Sequence, residues 1–304
     1  MSRRFVIISG RVWLAAALYS AAAAQAETTQ PATVPSSASS PTLAFKSPDE
    51  RSMPGGEYGK AIKLGEQIML HTQTYAGRYV GNSLNCASCH LDAGRQAYTS
   101  PLAAAYVSYP MYRSKNGRVI TFGERLQDCF RYSMNGQAPA LNDPVLVALE
   151  SYSVWLAKGA PMGGKLQGGG LLKLGKPALA ADYVRGGQAY AQSCALCHGP
   201  DGQGQSSGGK MVFPPLWGKQ SFNWGAGMHN VDSAAGFIKA NMPLMRGNTL
   251  TDQQAWDIAL FMNSHERPQD PRYTGSVQET RRKYHDSPYS MYGMTVNGHV
   301  LGGN

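Results

Sequence analysis

Apolar residues recur at helical spacing in four places along this 304-residue chain, and the four form two matching pairs. The first member of each pair is a short amphipathic segment. One runs from Tyr58 to Thr72 with Ile62, Gly65, Ile68 and Met69 on one face, the other from Ala181 to Gln192 with Tyr183, Gly187 and Tyr190. The second member is a strongly apolar helix behind a capping signal. In one, Asp143 stands as N-cap with Pro144 at the first helical position, and Val145, Leu146, Leu149, Tyr152, Val154 and Leu156 supply the buried side. In the other, Thr251-Asp252-Gln253-Gln254 is a capping box ahead of Trp256, Ile258, Leu260, Phe261 and Met262. Between Gly159 and Pro177, Gly163-Gly164, Gly168-Gly169-Gly170 and flanking lysines break the periodicity. The pattern predicts an all-α chain of two similar domains, 55–160 and 179–268, joined by a Gly-rich linker over 161–178.

The flanks read differently. Met1-Ser2-Arg3-Arg4 is a basic start, Val12 to Leu18 and Ala21 to Ala24 are apolar, and Ala24-Gln25-Ala26 is a small-residue cleavage site. Residues 1–26 are therefore expected to be a signal peptide that delivers the protein to a bacterial periplasm. That apolar stretch falls short of the about 20 residues a membrane span needs, and no later one reaches them, so no span is expected in the mature chain. Residues 27–54, rich in Thr, Ser, Pro and Ala, read as a flexible lead. Residues 269–304, rich in Tyr, Arg and Gly, read as an irregular extension that wraps the domains, because so many tyrosines are unlike a disordered tail.

Charge narrows the partners. The formal +9 falls by three, to +6, once Arg3, Arg4 and Arg11 leave with the signal. No Lys/Arg run is interleaved with aromatics, which disfavours nucleic acid. A modest positive field suits a small anion or an acidic electron-transfer partner.

Five cysteines carry the chemistry. Four lie in Cys86-Ala87-Ser88-Cys89-His90 and Cys194-Ala195-Leu196-Cys197-His198, the pattern of covalent c-type haem attachment, in which two thiols bond the haem and the adjacent imidazole binds iron. A zinc site would not require His directly after both pairs. Two covalently bound haem c groups are thus expected. First helix, haem motif, loop and last helix is the order of a class I cytochrome c, here twice in tandem.

Each iron also needs a distal partner. In the second half Met242, 44 residues after His198 and shortly before the last helix, stands where class I cytochromes place an axial methionine, with Met245 and Met211 as competitors. The first half offers two candidates, Met134 and Cys129. Cys129 is either a buried structural thiol or, beside Arg125 and Arg131, a thiolate suited to binding iron or attacking sulfur.

The layout over about residues 55–265, with the two haem motifs and a single cysteine in Glu124-Arg125-x-x-x-Cys129-Phe130-x-x-Ser133-Met134-Asn135-Gly136, resembles the tetrathionate-forming thiosulfate dehydrogenases, diheme periplasmic cytochromes c. The resemblance implies His90 and Cys129 on a catalytic first haem, and His198 with Met242 on a second haem that relays electrons outward. Some members place a lysine beside that methionine, where this chain has Asn241. It further implies thiosulfate and tetrathionate as substrate and product, and a small cytochrome c or high-potential electron-transfer protein as partner. Arg125 and Ser133 would bind substrate, with a further basic residue, Arg113 or Arg118, from the segment that also holds Lys115. Coupling two dianions brings like charges together, and the planar fork of arginine suits their oxyanion ends. Two other readings use the same residues. One is a Sox-type haem subunit that joins thiosulfate to a carrier-protein cysteine; the other is a non-catalytic diheme carrier with Met134 and Met242 as ligands.

Overall fold

A computed structural model of the protein describes residues 42–303, so the expected signal peptide over 1–26 and most of the lead lie outside the described residues. Helices form at all four periodic segments. Gly56–Leu70 starts two residues earlier than the periodicity predicts, and Tyr183–Ser193 starts behind Asp182, which accepts from the Arg185 N–H. Pro144–Leu156 is capped by the Asp143 carboxylate on the Val145 N–H, and Asp252–Asn263 by the reciprocal Thr251/Gln254 box.

Within each pair the two helices cross where one has a glycine. A Cβ on Gly65 would stand 2.2 Å from the Ala148 carbonyl oxygen, and one on Gly186 would stand 2.1 Å from that of Asp257. Gly187, expected on the buried face, instead lies against the Phe261 ring, where a Cβ would be 3.2 Å away. The same backbone-to-backbone crossing thus builds both haem-motif regions: the second motif follows directly from Tyr183–Ser193, and the first comes after the short turns Thr72–Tyr75 and Gly77–Tyr79. Around the crossings lie two cores, one centred on Ile62, Ile68, Leu149 and Tyr152, the other on Tyr190, Ala235, Ile258 and Ala259. Phe222 and Ala226, from the sequence of the second half, belong to the first core.

Departures from helix among the described residues are three two-stranded antiparallel hairpins: Met111–Arg113 with Arg118–Ile120, Gln205–Ser207 with Lys210–Phe213, and Thr295–Val296 with His299–Val300. The Gly-rich stretch lies as a strap against the first half. Tyr98 and Ser100 donate backbone N–H groups to the Gly168 and Gly170 carbonyls, and the Gly163 N–H donates to Val107. Leu43, at the start of the described chain, bridges to Leu166 of that strap.

Residues after 268 pack Tyr292 and Leu301 on Trp224, all at most 2% exposed. A buried polar network fixes this extension. His285, fully buried, lies 3.1 Å from His229 and 2.9 Å from the Asp270 carboxylate, which also takes three hydrogen bonds from Arg272. Burial alone would raise the Asp270 pKa, but the hydrogen bonds from His285 and Arg272 outweigh it and hold the carboxyl well below the usual carboxylate range.

Because the folded state keeps Asp270 ionised where the unfolded chain, at about pH 3.9, takes up a proton, its contribution is present above that pH and is lost as pH falls toward the folded value. Asp270→Asn is expected to destabilise the holoprotein by about 3 kcal/mol at pH 7, the scale of a broken buried ion pair. In thermal unfolding the gap between parent and variant should narrow below about pH 4. A gap that is the same at pH 7 and pH 3 would contradict this.

Candidate functional site

Each haem motif is folded into one tight turn that brings its three donors to a cavity. In the first, Asn85 and Ser88 cap one another around Cys86–Ser88, and the His90 N–H returns to the Cys86 carbonyl at 3.0 Å. In the second, the His198 N–H bonds the Cys194 carbonyl at 2.9 Å. The imidazoles are oriented alike: His90 Nδ1 lies 2.9 Å from the Ser100 carbonyl and His198 Nδ1 lies 2.9 Å from that of Pro214. A carbonyl only accepts, so Nδ1 carries the hydrogen and Nε2 is left as a free lone pair, the form an iron ligand needs. Burial lowers the pKa of both rings and keeps them neutral.

The first cavity, about 600 Å³, is lined by Cys86, Cys89 and His90, and also by Arg125, Cys129 and Ser133. The second, about 310 Å³, is lined by Cys194, Cys197 and His198 together with Met211 and Met242. Both volumes fall in the range of about 300–1,000 Å³ typical of small-molecule and cofactor sites. Paired thiols, a neutral oriented imidazole and a sulfur donor suit a covalently attached haem in each. Phe222 and Met228 line both cavities, so the two sites share a wall.

The distal candidates separate by position. Met245 is 94% exposed and lines neither cavity, whereas Met242 closes the helix Val231–Asn241 and lines the second together with Met211. In the first cavity Cys129 and Met134 are both present. The helix Phe122–Asp128, opened by a Thr121/Glu124 capping box, delivers Arg125 and runs into a π-helix over Cys129–Ser133. Arg125 Nη1 donates to Cys129 Sγ at 3.1 Å. The Cys129 charge raises the Arg125 pKa more than burial lowers it. The guanidinium thus faces the sulfur at the cavity wall.

The other predicted cations divide. Arg113 lines the first cavity, while Arg118, its cross-strand partner, turns to Glu124 at 2.6 Å and lies outside it. Two arginines opposite one another repel, and Glu124 neutralises the one at the surface. Lys115 also lies outside the cavity, its ammonium 3.9 Å from the Tyr132 ring centre and bonded to the Gly225 carbonyl. Burial first, then the charges of Arg272 and Arg125, pushes its pKa down to about 7. Arg131 pairs with Asp128 at 3.3 Å. Ser133 lines the cavity four residues after Cys129, and the winding between them is the wider π turn, closed by the Met134 N–H on the Cys129 carbonyl at 2.9 Å.

Sequence reasoning missed the strap: Lys165, Gln167 and Gly168 to Gly170 line the first cavity. The signal was available in the glycine run, since a backbone that must approach closely cannot carry a Cβ. At Gly168, with φ of +72°, a Cβ would stand 2.5 Å from that of Ala97.

Comparison with known proteins finds two family models along the chain. Residues 74–162 match the SoxA/TsdA cytochrome c domain, and residues 181–262 match cytochrome C oxidase, cbb3-type, subunit III. The chain is 53% identical over 288 residues to a thiosulfate dehydrogenase of Thiomonas intermedia (strain K12), covering 95% of this chain and 92% of that protein. It is 51% identical over 260 residues to a thiosulfate dehydrogenase of Stutzerimonas stutzeri (strain A1501), covering 85% of each. Among solved structures, the as-isolated form of the thiosulfate dehydrogenase TsdBA from Marichromatium purpuratum superposes with a TM-score of 0.83 at 50% identity. That match covers 86% of this chain and 57% of the other, which is much the longer.

Gly168→Val should force the strap from Ala97 and strain a left-handed position, a cost of about 1–3 kcal/mol. The expected result is a lower melting temperature together with an altered visible spectrum of the first haem and an unaltered second. An unchanged melting temperature would show that the strap does not need this close approach.

Proposed function

The chain belongs to the thiosulfate dehydrogenases, and on that basis we propose that it joins two thiosulfate ions into tetrathionate at the first cavity, with Cys129 as the reacting thiol. The observation that carries this is the Arg125–Cys129 contact at 3.1 Å in the cavity that also holds Cys86, Cys89 and His90. His90 and Cys129 would hold the first haem iron, and His198 and Met242 the second; when bound, the haems supply one-electron iron couples that accept the two electrons of the reaction. The acceptor beyond them is a small cytochrome c or a high-potential electron-transfer protein, and the setting is the periplasm. Among the described residues no helix is long and apolar enough to cross a membrane.

The chain's own residues divide the work by charge. Arg125 faces the Cys129 sulfur and, with Arg113, offers guanidinium groups to the sulfonate ends of two dianions that would otherwise repel. Ser133 adds a hydroxyl donor at the same cavity. In the covalent route, the Cys129 sulfur bonds the outer sulfur of one thiosulfate with loss of two electrons. The outer sulfur of a second thiosulfate then attacks that bonded sulfur, the sulfur–sulfur bond to Cys129 breaks, and tetrathionate leaves with the thiolate restored. Atoms balance as two thiosulfates in and one tetrathionate out, and the same site can run the exchange in reverse.

The experiment that tests the function is thiosulfate-dependent reduction of ferricyanide by the purified holoprotein, with tetrathionate identified as product. Absence of tetrathionate while thiosulfate is consumed would contradict the proposal.

Two substitutions divide the roles. A charge-assisted hydrogen bond is worth about 1.5–3 kcal/mol, so Arg125→Gln should weaken productive thiosulfate binding by about ten- to a hundredfold. If Arg125 served only a haem propionate, the variant would shift the first haem's potential and leave thiosulfate saturation as in the parent. Met242→Gly should abolish the weak red-edge absorption of a methionine–ferric iron bond and leave the first haem's spectrum alone. Persistence of that band in Met242→Gly, with its loss in Met211→Gly, would move the assignment to Met211.

A further inference from the structure

The π turn that begins at Cys129 is held from outside by two asparagines. Asn223 Nδ2 donates to the Arg131 carbonyl at 2.9 Å and its backbone N–H to the Tyr132 carbonyl at 3.2 Å, while Asn82 Nδ2 donates to the Ser133 carbonyl at 2.9 Å. Three successive carbonyls of one turn therefore find their donors in distant parts of the chain. The second hydrogen of Asn223 Nδ2 bonds Asn135 Oδ1 at 3.0 Å, its Oδ1 accepts from the Gly225 N–H at 3.0 Å, and the residue is fully buried. Every donor and acceptor of that side-chain amide is committed, so it has one orientation.

The loop that carries Asn223 is itself fixed. The Trp224 N–H bonds the Pro268 carbonyl at 3.0 Å, the Ser221 carbonyl accepts from Asn82 at 3.2 Å, and Gly225 lies so close to Tyr132 that a Cβ would stand 2.3 Å from the ring. A π-helix is rarer than an α-helix and survives where its surroundings specify it. Remove the outside donors and the segment can close toward i→i+4 bonding, which re-aims the side chain at its first residue.

We propose that Asn223, supported by Asn82, is a positioning residue for the Cys129 thiolate: by pinning the π turn, the second half of the chain fixes where the sulfur of the first centre sits. The proposal rests on the reading of Cys129 as the reacting thiol and first-haem ligand. Asn223 hydrogen-bonds neither the thiol nor Arg125 or Arg113, whose guanidinium groups would bind thiosulfate, while Ser133, the neutral donor, closes the same turn and keeps its own bond from Asn82. Its loss should therefore act mainly on the fraction of sulfur correctly placed, with the charge-based affinity for substrate kept.

The test compares the parent holoprotein with Cys129→Met, Asn223→Ala and Asn82→Ala. Electron paramagnetic resonance reads the low-spin thiolate signal of the first haem, the red-edge band reads the second haem, and steady-state kinetics read kcat and KM for thiosulfate. Asn223→Ala should lose most of the Cys129-dependent signal and lower kcat about tenfold, with KM within about twofold, because an interaction that places the reacting group is felt in turnover. The second-haem band should persist, which separates a mispositioned thiol from a misfolded protein. If Asn223→Ala yields no holoprotein, Asn82→Ala, which leaves both Asn223 bonds in place, should show the same changes to a smaller degree. An undiminished signal and parental kcat in the variants would overturn the positioning role alone. A parent with no Cys129-dependent signal would overturn the reading of Cys129 and the positioning role with it.

Discussion

A cysteine sulfur kept beside a guanidinium at the wall of a largely apolar cavity is the contact on which the other features of the first site converge. Arg125 and Cys129 stand one α-helical turn apart in sequence, and their 3.1 Å contact requires that the helix deliver the arginine before the winding changes at the cysteine. Removing a guanidinium from water is costly unless a partner faces it, and here the Cys129 sulfur does. The capping box at Thr121 and Glu124 fixes where that helix starts, and Asn223 and Asn82 fix how it ends.

The two halves are bound more intimately than a tandem of similar units requires. Phe222 and Met228 line both cavities, and the loop that carries them also meets the Cys129 turn and the C-terminal extension. His229, one residue beyond Met228, leads through His285 to the buried Asp270–Arg272 pair. Arg272 lies 5.2 Å from the Tyr132 ring centre, on the same π turn. A shared wall between two redox centres gives a short route for electrons, and a rigid one keeps the distance constant. On the proposed reading this is why an enzyme that must shed two electrons, one at a time, is built with its second centre packed on its first.

Much of this was legible before any coordinates. Helices with strong 3.6-residue periodicity and side-chain caps, such as Pro144–Leu156 and Asp252–Asn263, announce themselves because burial and capping are local. The haem motifs are equally local, since both thiols and the imidazole lie within five residues. The π winding at Cys129 is not legible, because the same apolar spacing serves an α-helix and the donors that select between them lie far away in sequence. Asn82 and Asn223 read as ordinary loop residues for the same reason. Arg113 and Arg118 look interchangeable in sequence, and only the hairpin register that sets them opposite one another sends one to the cavity and the other to Glu124. The strap was misread as a tether because a glycine run signals freedom and close approach alike.

The central claim is that Cys129 itself bonds thiosulfate during the coupling reaction. The direct measurement is mass spectrometry of the peptide containing Cys129 after the holoprotein is given thiosulfate and a limiting oxidant and quenched in acid. The account predicts a fraction of that peptide carrying one added S–SO₃ group, which disappears when excess thiosulfate is supplied before the quench and is absent from the Arg125→Gln protein. Tetrathionate formed at the full parental rate, with Cys129 unmodified at every quench time, would contradict it.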